Sequence, residues 1–85
     1  MDRIRVLIAD DEPVVRQTLA RLLEDDPSLE VVGTAHDAQG AIELAALERP
    51  DVALVDVRMP GGGPRAAREI GLRCPHTRVM ALSSF

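Results

Sequence analysis

Asp10 and Asp11 sit side by side in "IADDEP", Asp56 closes "VALVD", and Ser83 lies near the end of "RVMALSS". If the three aspartates meet, they offer only hard oxygen ligands. That donor set suits Mg²⁺, an ion that keeps several waters and shares oxygens with phosphate groups. Two carboxylates about 5 Å apart repel by roughly 3 kcal/mol at an effective dielectric of about 20. Three together are worse, so the cluster needs a cation or must hold protons.

Whether they meet depends on the elements that carry them. Ile4 to Ala9 is a short run of Ile, Val and Leu, of strand length. Pro13 to Glu24 spaces Val14, Val15, Leu19, Leu22 and Leu23 by three and four residues, which predicts an amphipathic helix. Pro13 suits its first turn and Pro27 lies just past its end. Leu29 to Ala35 reads as a second strand. Asp37 is a natural N-cap for a helix through about Leu47, with Ala41, Ile42, Leu44 and Ala45 on its apolar face. Val52 to Asp56 is a third strand, Pro64 opens a helix to about Arg73, and Arg78 to Ser84 is a fourth strand. The order β-α-β-α-β-α-β predicts right-handed crossovers and a parallel sheet with helices on both faces. Ligands of such sheets gather at the carboxyl ends of the strands. Those ends carry Asp10 and Asp11, then Thr34 and His36, then Asp56, then Ser83.

Composition narrows the function. The chain has 85 residues, a length for one small domain, and 46% of them are hydrophobic. A net charge of −4 argues against gripping nucleic acid by its backbone. No apolar run approaches the ~20 residues of a membrane span, and no basic-then-apolar leader pattern is present, so a cytoplasmic protein is expected. The single cysteine, Cys74, reads as a small, partly buried apolar residue. His36 and His76 lack partners at metal spacing and read as loop residues. Arg65 and Arg68 read as a solvated helix face. All ten basic residues are arginine.

A plainer account of "DDEP" is that acids favour the positive end of the following helix, by about 0.3–1 kcal/mol each. It does not explain Asp56, which ends a separate apolar strand, or Ser83 at the corresponding end of another.

"VLIADDEPVVRQTLARLLEDD", "PDVALVDVRMPGG" and "TRVMALSS" resemble the receiver domain of bacterial two-component response regulators, in a pattern most similar to regulators of the LuxR/NarL kind. The resemblance implies a flavodoxin-like (CheY-like) α/β fold, a doubly wound parallel sheet in strand order 2-1-3-4. It implies that Asp56 takes a phosphoryl group from a sensor histidine kinase, with Mg²⁺ as cofactor. Asp11 matches the acid that binds the ion directly, and Asp10 its neighbour that holds it through water. The backbone carbonyl of Arg58 matches the remaining protein ligand. Ser83 matches the switch hydroxyl and Ser84 a backbone N–H that contacts the phosphoryl group. The output implied is transcription, through a DNA-binding domain outside residues 1–85. Such a domain is a phosphoacceptor switch rather than a turnover enzyme.

The departures are specific. Receivers have five strands and five helices, whereas this sequence supplies four and three, which implies an incomplete domain cut after the fourth strand. The family's lysine at the end of the fifth strand has no counterpart here. Arg58 or Arg65 is a candidate substitute, although a planar guanidinium and a compact ammonium are not interchangeable. "MPGGGP" predicts a mobile loop under Asp56, or room for a kinase. A competing reading is an interaction module without signalling. Its uncovered strand-four edge would lead to a homodimer or a strand-swapped oligomer. A haloacid-dehalogenase-like phosphatase is disfavoured because its second acid falls at Arg58.

Overall fold

In a computed structural model that describes residues 2–83, the alternation is realised as seven elements. They are β1 (Ile4–Ala9), α1 (Pro13–Glu24), β2 (Leu29–Ala35), α2 (Ala38–Glu48), β3 (Val52–Asp56), α3 (Gly63–Arg73) and β4 (Arg78–Leu82). All strand pairs are parallel and the sheet order is β2-β1-β3-β4, as expected. No described helix is long and apolar enough to cross a membrane.

The two sheet faces differ in how well they are covered. Leu7 and Ala9 of β1 and Ala53 and Val55 of β3 point to the side where α2 and α3 lie. There they join Ala41, Ile42, Ala45, Ala66 and Ile70 in one buried cluster. The many alanines let both helices approach the sheet closely, and larger members such as Leu7 and Ile70 each contribute about 1.5–3 kcal/mol by burial. Cys74 belongs to this cluster, 2% exposed, and its thiol donates to the Ala45 carbonyl at 3.5 Å. It is therefore fully rather than partly buried.

On the opposite face, where Val6 and Ile8 are buried, α1 packs chiefly against β2 and β1. Here the sequence-based expectation needs correction. Val14 and Leu22, placed on the apolar face of α1, are 73% and 62% exposed, and no residue of α1 is fully buried. The spacing is helical, but within residues 2–83 nothing covers that flank.

The ends of the elements are fixed by specific bonds. Asp37 caps α2 by accepting from the Gly40 N–H at 2.7 Å, and Arg49 closes it in the left-handed conformation, with its N–H on the Ala45 carbonyl at 2.8 Å. Arg5 reaches from β1 to pair with Glu48 at 3.0 Å, and its backbone N–H donates to Asp51 Oδ2 at 2.8 Å. These bonds tie the amino-terminal edge of the sheet to the α2–β3 turn and leave the opposite edge to the acidic residues.

Candidate functional site

Asp10 follows directly on β1, and Asp56 is the last residue of β3. Ala9 registers with Val55, so the next step along each strand sets Asp10 beside Asp56 at the same rim. Both are 2% exposed, whereas Asp11 is exposed. One carboxylate oxygen from each of Asp10, Asp11 and Asp56 lies within 4.8 Å of the others. The expected convergence is present.

Backbone groups hold the two buried acids. Asp10 donates its N–H to the Ala35 carbonyl at 3.0 Å, and its Oδ1 accepts from the Glu12 N–H at 2.9 Å. Asp56 Oδ1 accepts from the Arg58 N–H at 3.0 Å. Each thus commits Oδ1 to one amide. Among the described residues no side-chain oxygen is both buried and without a hydrogen bond, so the remaining oxygens open to the rim. Three carboxylates with free, outward oxygens at this separation match a hard divalent ion in charge and ligand type.

Ser83 falls one residue past Leu82, which registers with Asp56, and is exposed at the same rim. Ser84 lies outside the described residues. Arg58 is exposed, and its backbone N–H donates to Asp56 Oδ1. Arg65 does not turn to the acids: its Nη2 donates to Gln39 Oε1 of α2 at 3.1 Å. His36 is exposed, with Nδ1 at 3.7 Å from Asp37, and His76 contacts the Arg49 carbonyl at 3.3 Å. Neither histidine belongs to the cluster.

The structure adds two residues that sequence reasoning passed over. Arg16 Nη1 donates to the carbonyl of Asp10 at 2.8 Å. Gly63 is buried with its Cα against the backbone behind the site; a Cβ there would stand 2.2 Å from the Asp56 carbonyl oxygen and 2.6 Å from Val57 Cα. The glycine segment is therefore not simply loose. Gly61 and Gly62 take φ of 86° and 93°, a region side chains disfavour, and Gly63 permits α3 to start hard against Asp56. The Pro60 carbonyl also accepts from the Ala38 N–H at 2.9 Å, which ties this loop to the start of α2.

Fold and rim together define a class: a small doubly wound α/β domain with a carboxylate cluster at the carboxyl ends of its central strands. The profile of the response regulator receiver domain matches residues 6–85, and the chain belongs to that family, the receiver domains of two-component systems. It is 41% identical over 83 residues to the DNA-binding transcriptional activator DevR/DosR of Mycobacterium tuberculosis, covering 96% of this chain and 38% of that protein. It is 43% identical over 82 residues to protein-glutamate methylesterase/protein-glutamine glutaminase 3 of Myxococcus xanthus, covering 95% and 23%. Among solved structures, the signal receiver domain of the putative response regulator NarL from Mycobacterium tuberculosis superposes with a TM-score of 0.93 at 38% identity, over 100% of this chain and 69% of that one. The response regulator domain of Thermotoga maritima CheB gives 0.88 at 36%, over 96% and 61%. The chain thus spans well under half the length of these two curated relatives. One of them is named as a transcriptional activator and the other as an enzyme.

Proposed function

We propose that residues 1–85 are the amino-terminal part of a phosphoacceptor receiver domain in the cytoplasm, and that Asp56 takes a phosphoryl group from the phosphohistidine of a sensor histidine kinase. The observation that carries this reading is the meeting of the Asp10, Asp11 and Asp56 oxygens within 4.8 Å. Asp11, Asp56 and the Arg58 backbone carbonyl would hold Mg²⁺ directly, with Asp10 acting through water. The ion, when bound, neutralises charge between the carboxylate and the incoming phosphoryl oxygens, in a transfer that is mostly positioning and electrostatics.

The residues of the chain do the rest. The Asp56 oxygen not held by the Arg58 N–H attacks phosphorus. A P–O bond forms as the P–N bond to the donor imidazole breaks, and the resulting acyl phosphate is open to hydrolysis. Ser83, at the rim one residue beyond the partner of Asp56, supplies a hydroxyl to the phosphoryl group, and Ser84 a backbone N–H. Output then passes to a DNA-binding effector outside this chain, as the likeness to DevR/DosR suggests. No turnover chemistry is assigned to residues 1–85 themselves.

The test is incubation with a small acyl-phosphate donor and Mg²⁺, followed by intact-mass measurement. Wild type should gain one phosphoryl adduct that is absent without Mg²⁺ and absent in Asp56→Ala. Equal adduct in Asp56→Ala would remove the assignment.

One observation favours a second reading, a homodimer or strand-swapped oligomer. Within the described residues β4 pairs only with β3, and Met80 on it is 52% exposed. Beside it runs an apolar groove of about 290 Å³ lined by Val55, Val57, Pro64, Ala67, Val79 and Ala81. Light scattering tests this reading by itself: a monomer at micromolar concentration excludes pairing through this edge, whatever the adduct measurement gives.

A further inference from the structure

We propose that Arg16 is a positioning residue that aims Asp11 at the cation site; the inference rests on reading the acid cluster as a divalent-ion site. Asp11 is the exposed member of the trio, and among the described residues none donates a hydrogen bond to its carboxylate. Its direction is set by the backbone on either side of it. The Arg16 guanidinium closes one side, its Nη1 donating to the Asp10 carbonyl at 2.8 Å. The backbone N–H at the same position makes the first helical bond, to the Glu12 carbonyl at 2.9 Å, as any residue there would. The Glu12 N–H in turn donates to Asp10 Oδ1 at 2.9 Å. These three bonds close the turn from Asp10 to Arg16 around Asp11 and leave the Asp11 carboxylate free for a ligand.

Helix stability does not account for an arginine here. Arg16 lies in the first turn of α1, where a positive charge opposes the helix dipole. Glu12, at the N-cap, makes no side-chain capping bond, so the guanidinium, together with the Glu12 N–H on Asp10 Oδ1, fastens this end of the helix to the end of β1. Simple electrostatics predicts the opposite consequence for metal binding. A cation behind the carboxylates repels a divalent ion, so removing its charge alone would tighten binding. A positioning role predicts weaker binding on removal, as for other outer-shell partners that orient ligands. The sign of the change separates the two.

The probe is Mn²⁺, followed by the electron paramagnetic resonance signal of the free ion, on the full 85-residue chain with circular dichroism alongside. Arg16→Met is expected to weaken Mn²⁺ binding by about tenfold while the folded spectrum persists. Arg16→Lys, which keeps a donor and a charge, should stay within about threefold of wild type. Unchanged or tighter binding in Arg16→Met overturns the inference and leaves the metal site standing. If Arg16→Met loses the folded spectrum, Arg16→Gln takes its place with the same expected loss. Unfolding of both overturns the inference too, because Arg16 would then hold the fold rather than the site. Wild type that fails to bind Mn²⁺, or binds it as well after Asp11→Asn, removes the underlying reading instead.

Discussion

Alanine at Gly63 is expected to destabilise the domain by about 3 kcal/mol or more, the upper range for forcing an extra methyl into a packed position. The added Cβ meets backbone, not the end of a side chain that can rotate away: the Asp56 carbonyl at 2.2 Å, then Val57 Cα at 2.6 Å and Val57 C at 2.9 Å. Relief requires either that the start of α3 lift from the sheet or that the carboxyl end of β3 move, and the latter carries Asp56 away from Asp10 and Asp11. For a domain of this length, with stability of about 0.05–0.15 kcal/mol per residue, such a loss is a large share of the total. Urea unfolding reads it as a fall in midpoint. Gly71 of the same helix is the control, since a Cβ there meets nothing within 4 Å. Gly71→Ala should stabilise by about 0.5–1 kcal/mol through helix propensity. A wild-type midpoint for Gly63→Ala would show that α3 does not bear on Asp56 as described.

Asp11→Asn should stabilise the ion-free domain and abolish most of its response to Mg²⁺. Without a divalent ion, carboxylates at separations up to 4.8 Å repel. Asp11 is exposed and its share is screened, so its neutralisation is expected to stabilise the ion-free domain by about 1 kcal/mol, or about 4–8 °C in Tm. Among the described residues no hydrogen bond to the Asp11 carboxylate is lost in the exchange, which makes the comparison clean. Wild type should then gain about 1.4 kcal/mol at a Mg²⁺ concentration tenfold above its dissociation constant, and the variant should gain little. The variant starts higher and the two converge or cross as Mg²⁺ is added. Thermal melts at matched ionic strength report both limbs. A variant less stable than wild type in chelator would mean that the three acids do not strain one another.

The strands were legible because each is a continuous apolar run between breakers, and the acids at their ends were legible because the helix dipole that could explain "DDEP" does not explain Asp56. The 2-1-3-4 order rested on family resemblance, since residue periodicity says which positions are strands and not which strands are neighbours. The exposed Val14 and Leu22 show the same limit on helices: spacing gives a shared face, but not what lies against it. Between Val6 and Leu7 the β1–β2 register slips so that Leu7 faces Gly33, leaving Val32 as an extra residue. Gly33 inside "LEVVGTA" is the sign of such a step, since an isolated glycine in a strand often marks a bulge, but sequence reasoning passed over it. Gly63 was visible as one of three glycines but read as looseness, because sequence does not distinguish a glycine that frees a turn from one that admits a close contact. Arg16 gave no signal, since an arginine on an amphipathic helix usually faces water. Ser83 reached the expected rim because the β3–β4 register continues to Leu82.

Calorimetric titration of Mg²⁺ into wild type and Asp56→Asn tests the central claim most directly, because it asks whether the ends of β1 and β3 form one cation site. The account predicts a single saturable event in wild type and its loss when Asp56 gives up its charge. Binding of equal strength in Asp56→Asn, or none in wild type, would contradict it.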